Sequence, residues 1–91
     1  MTLTITVEDF DKALSARSTN PFTLNFYDPA CQAAFRQLGA EDVYSSYQAI
    51  FIDGKFYRYA ENAGKLLKHF DHEDYETFRK FLPLTLHLQE A

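Results

Sequence analysis

Apolar positions along this chain change period several times, and each change marks an element. Residues 2–6 (TLTIT) alternate β-branched and apolar types with a period of two, which predicts a strand. From Val7 the period lengthens, with Val7, Phe10 and Leu14 at helical spacing. Thr6 stands where an N-cap is needed, and Glu8 and Asp9 fall in the first turn beside free N–H groups. A helix over 7–17 is predicted, closed by Ser18-Thr19-Asn20-Pro21. Residues 22–27 (FTLNFY) predict a second strand, with Phe22, Leu24 and Phe26 on one side. Asp28-Pro29 then starts a helix, because Asp28 can accept from orphan N–H groups and a proline at the first helical position loses no needed donor. Ala33, Ala34, Phe35 and Leu38 form its apolar face, and Gly39 is its expected C-cap.

Residues 48–60 (QAIFIDGKFYRYA) place Asp53-Gly54 between two β-rich runs. Aspartate and glycine tolerate positive φ, so a type I′ hairpin is predicted. On its second strand Lys55, Tyr57 and Tyr59 alternate with Phe56, Arg58 and Ala60. Helical spacing returns over residues 63–70 through Leu66, Leu67 and Phe70. Asp71 is then the expected cap of a further helix carrying Tyr75, Phe78, Phe81 and Leu82. Residues 82–88 (LPLTLHL) put leucine at every second position, which predicts a closing strand, with Pro83 confining it to a sheet edge or a strand start. The order β-α-β-α-β-β-α-α, with this last strand, predicts a single α+β domain over 1–91: one mixed sheet of four or five strands packed against helices.

Composition adds limits. A chain of 91 residues has to lean on its nine Phe and six Tyr for a core, since each buried ring removes roughly 150–250 Å² from water. A single cysteine rules out an intramolecular disulfide and fits a reducing compartment. The first residues lack the basic-then-apolar pattern of a secretory signal, and no run approaches the ~18 apolar residues of a membrane span. A cytoplasmic protein is expected, with no membrane partner. Thirteen acidic against nine basic residues, net −4, argues against duplex nucleic acid, which needs clustered cations to displace counterions.

Cys31 would be the third residue of the second helix, where unpaired N–H groups and the helix dipole favour thiolate. The stretch Phe26-Tyr27-Asp28-Pro29-Ala30-Cys31 resembles the strand-to-helix junction of the thioredoxin family, with Cys31 at the nucleophilic position. Residues 6–10 resemble that family's opening helix, and 48–59 its later hairpin. The resemblance implies a thioredoxin-like fold and a monothiol role for Cys31. It does not extend to the second cysteine of a CxxC motif, which would fall at Ala34, nor to the cis-proline, which would fall near Gln48; one crossover between Gly39 and Gln48 is also missing. The alternative role for Cys31 is a small, inert core residue.

Other chemistry is sparse. His69 and His72 would share a face if one helix ran through both, but a boundary is expected at Asp71 and no third ligand has a suitable spacing, so no metal is expected. Ser45 and Ser46 lack a nucleophile elbow, and glycines isolated at 39, 54 and 64 form no phosphate loop, so no cofactor is expected. The most informative feature is aromatic. Tyr44 and Tyr47, then Tyr57, Arg58 and Tyr59, have the composition of protein-recognition surfaces, since tyrosine offers stiff contact area at small entropic cost. If helices cover the Phe56 side, Tyr57 and Tyr59 face a partner; otherwise they pair across the sheet with Gln48, Ile50 or Ile52. An exposed leucine strand at the end of the chain would pair with residues 2–6 or with a second copy, giving a homodimer. Two functions follow as expectations. One is a small non-enzymatic interaction module, an adaptor or inhibitor that docks on a larger protein. By size and charge it is analogous to phage or mobile-element inhibitors and immunity proteins. The other is a reduced thioredoxin-like monothiol redox protein acting through Cys31.

Overall fold

The computed structural model describes residues 1–19, 28–46, 48–60, 63–71 and 73–90. Within them the chain runs β1 (Thr2–Ile5), α1 (Val7–Thr19), α2 (Pro29–Leu38), β2 (Val43–Ser45), β3 (Ala49–Ile52), β4 (Lys55–Tyr59), α3 (Ala63–Asp71), α4 (Tyr75–Arg79) and β5 (Leu84–Glu90). The fold is α+β, with a five-stranded sheet in the order β1-β5-β4-β3-β2. Every described pairing is antiparallel, where a mixture of directions was expected. β2, β3 and β4 follow one another antiparallel, and β5 returns through α3 and α4 to lie antiparallel between β4 and β1. The strand predicted at 22–27 lies outside the described residues. No strand was predicted over Val43–Ser45, which forms β2; its serine and tyrosine content hid a run only three residues long.

Local chemistry explains most boundaries. At α1, Thr6 and Asp9 cap one another: Asp9 N donates to Thr6 Oγ1 at 3.2 Å and Thr6 N donates to Asp9 Oδ2 at 2.9 Å. At α2, Asp28 Oδ1 accepts from Ala30 N at 2.7 Å, Pro29 opens the first turn, and Gly39 closes the helix at φ 64°. Asp53 and Gly54 take φ 47° and 90°, as a type I′ turn demands, and put Ile52 opposite Lys55. The break between α3 and α4 comes later than expected. Asp71 ends α3, Glu73 turns left-handed at φ 62°, and Asp74 rather than Asp71 is the N-cap of α4. α4 also ends early, at Arg79, so Phe81 lies past it and is exposed.

The leucine strand is not an edge. Pro83 immediately precedes β5, which pairs with β1 through Leu84 to His87 and with β4 through Leu88 to Glu90. Alternate leucines Leu86 and Leu88 are buried, so their stickiness is spent inside the molecule and the edge-strand route to a homodimer is closed. Among the described strands the two edges are β1 and β2, and both meet α2. Gln37 pairs with the free side of β1 like a short strand: its Oε1 accepts from Thr4 N at 2.9 Å and its Nε2 donates to Thr2 O at 3.0 Å. Arg36 adds a bond to Thr4 O at 2.7 Å. At the other end of the helix the Cys31 thiol points at Val43 O of β2, 3.9 Å away. One helix thus occupies backbone groups on both sheet edges, which would otherwise invite strand addition.

A single core joins these elements. Leu3, Ile5, Val43, Ile50, Ile52, Leu86 and Leu88 supply the inner face of the sheet, with Ala30, Cys31, Ala33 and Ala34 from α2 above them. Phe10, Phe70, Tyr75 and Phe78 form a helix-borne aromatic cluster, with Phe10 edge-on to Phe70 at 5.7 Å and stacked on Phe78 at 5.9 Å. Asp9 is fully buried, and Arg36 grips it with two bonds of 3.0 Å. A carboxylate inside a core is tolerated only when paired in this way.

Candidate functional site

The hairpin register decides which aromatic side chains are available. Ile50 pairs with Tyr57 and Ile52 with Lys55, so Tyr57 shares the inner face with the two isoleucines. The helices cover this side, not the Phe56 side. Tyr57 and Tyr59 are half-buried and packed on the core, which corrects the expectation that they face a partner. Tyr47 lies outside the described residues. Tyr44 and Arg58 do reach the surface, and both lie on the outer face of the sheet.

That face carries more than the sequence suggested. Tyr44 pairs with Phe51 and Phe51 pairs with Phe56, so the three rings form one row across β2, β3 and β4. Tyr44 is 59% exposed and Phe56 50% exposed, and the Tyr44 and Phe51 rings are 6.5 Å apart. Two residues further along β4, Arg58 stands between Ala49 and Gln89. A shallow depression of about 350 Å³ opens there, lined by Gln48, Ala49, Phe56, Arg58 and Tyr59. On the other side of the row from Arg58, towards the hairpin turn, lie Asp42 and Asp53, bound to each other through Asp53 N and Asp42 O at 2.8 Å. Asp53 Oδ1 also accepts from the Glu41 and Asp42 N–H groups at 3.0 and 2.8 Å. The other outward positions, Thr2, Thr4, Thr85, His87 and Gln89, are uniformly polar. Phe51 and Phe56 were missed as surface candidates. The signal existed: two aliphatic isoleucines at one parity of β3 mark the inner side, which leaves Phe51 and Phe56 outside.

Cys31 sits at the third position of α2 as expected, but its surroundings oppose thiolate. It is completely buried. Burial, and next the negative charge of Asp28, push its pKa well above the ordinary thiol value. Ser45 Oγ donates to Asp28 Oδ2 nearby, occupying the carboxylate that caps the helix. The Tyr59 hydroxyl is also buried, and its pKa is raised by burial and then by Asp28. A thiol buried against β2 packs as an apolar group.

His69 Nδ1 lies 3.2 Å from Asp74 Oδ2, joining the end of α3 to the start of α4. His72 lies outside the described residues. Among the described residues no group of three or more His, Cys, Asp or Glu is placed to hold a metal ion. Nor is any described helix long and apolar enough to cross a membrane.

The arrangement offers contact chemistry: flat aromatic area, one guanidinium, and carboxylates at the far end. No protein-family model, no curated protein and no solved structure matches this chain.

Proposed function

We propose that this protein is a small non-enzymatic interaction module, an adaptor or inhibitor that docks on a larger protein through the outer face of its sheet. The observation that carries this reading is the row Tyr44–Phe51–Phe56, exposed at both its end rings, beside Arg58. Folding leaves about half the surface of Phe56 and more than half of Tyr44 in water. Aromatic residues and arginine are the types that carry most binding energy in protein interfaces, and the depression beside Phe56 and Arg58 can seat a partner's side chain. Cys31 is buried against β2, away from this face, which supports reading its thiol as a packed side chain separate from the contact surface.

The test is capture from the native host with tagged wild-type, Phe56→Ser and Cys31→Ala chains, each first shown to be folded by circular dichroism. The expected result is one larger protein retained by wild type and by Cys31→Ala and lost by Phe56→Ser. Retention by Phe56→Ser with loss in Cys31→Ala would reverse the assignment.

A further inference from the structure

The outer face is complementary to its own image. The aromatic row crosses three strands, Arg58 lies two residues from Phe56 on one side, and Asp53 lies two residues from Phe51 on the other. At about 3.3 Å per residue, each charge is roughly 7 Å from the row. Rotation by 180° about an axis lying along the row brings each ring onto its own counterpart. The same rotation carries Arg58 of one copy over the hairpin end of the other, where Asp53 keeps a carboxylate oxygen beyond the one that accepts from Glu41 and Asp42. Lys55, the basic residue at that end, alternates to the other side of β4 and does not meet Arg58. Among the described strands the edges are β1 and β2: Gln37 and Arg36 close β1, and on β2 the Cys31 thiol faces Val43 O.

We infer that a second copy of this chain closes the outer face, in a two-fold dimer with Phe56 against Phe56 and Arg58 against Asp53. The inference rests on the reading of this face as a docking surface and names one occupant for it. Self-association and the larger partner then exclude one another. Three rings and one charge pair per copy make a weak dimer, with a dissociation constant expected in the micromolar range.

Sedimentation equilibrium tests it with the purified full chain. Wild type should pass from monomer to dimer as concentration rises. Phe56→Glu and Phe56→Lys should each be monomeric, because on the axis each new charge meets itself. Mixed in equal amounts, the two variants should associate again, at least about tenfold more strongly than either alone. Arg58→Glu should weaken the wild-type dimer by about tenfold or more, since it sets like charge against Asp53. A wild-type chain monomeric at every concentration overturns the inference, as does a dimer that survives Phe56→Glu. Loss in both variants without recovery on mixing overturns the two-fold geometry and with it the inference. The reading of the face as a docking surface fails separately, when Phe56→Ser still captures the larger partner.

Discussion

Strand β4 presents two surfaces one residue apart. Tyr57 and Tyr59 look inward to Ile50, Leu88 and the helices, while Phe56 and Arg58 look outward to solvent. All four are large, and composition alone ranks the tyrosines as the better recognition residues. Register reverses that ranking. What matters at a sheet is parity relative to the aliphatic positions of the neighbouring strand, because cross-strand pairs share a face. The inner surface holds the molecule together, and the outer one is left over for contact.

The sharpest way to break the inner side is Phe78→Ala. Phe78 is fully buried and touches both Phe10 and Phe70, so its removal should cost about 3–5 kcal/mol and, in so small a domain, leave a largely unfolded chain by urea titration. Next comes Arg36→Ala. It strips Asp9 of both Arg36 bonds and of its counter-charge, leaving Thr6 N alone on a buried carboxylate, and it reopens the β1 edge at Thr4 O. A loss of about 3 kcal/mol is expected. Replacing Asp9 and Arg36 together should cost less than the sum of the single changes, which a double-mutant cycle would read.

The third effect is on pH. Cys31 and Tyr59 have folded pKa values raised by burial above their ordinary values of 9.0 and 10.0. Above pH 9 the unfolded chain therefore loses protons that the native chain keeps. Stability is full below that point and falls as pH rises, at up to about 1.4 kcal/mol per pH unit per group. The denaturation midpoint should drop between about pH 9 and pH 10, and Cys31→Ala should flatten that drop. A midpoint that rises across this window would contradict the burial of the thiol. The smallest effect belongs to the outer side. Phe56→Ser should change stability by no more than about 0.5 kcal/mol, since the ring is half in water and outside the core.

Much of the fold was legible because short-range chemistry decides it. Asp28-Pro29, Gly39 and Asp53-Gly54 act through their own backbone geometry, and each stands where its local rule places it. The closing strand was legible from leucine alternation, and so was its alternative of pairing with residues 2–6. Other features depend on distant partners. Nothing local to Arg36 or Gln37 announces that they will occupy Thr4 and Asp9, more than twenty residues away. The reach of β2 was hidden because Tyr44 reads as a surface residue, which it is, and strands of three residues leave little period to detect. For Cys31, position at the helix start was readable, but the burial that cancels its activation comes from the packing of α2 against β2.

The central claim is that contact happens on the outer face of the sheet and not on the helical side. Site-specific photo-crosslinking in the native host tests it most directly, with a benzophenone amino acid placed at position 56 or, on exposed α1, at position 12. Crosslinks to a larger protein from position 56 and none from position 12 are expected. The opposite pattern would contradict the account.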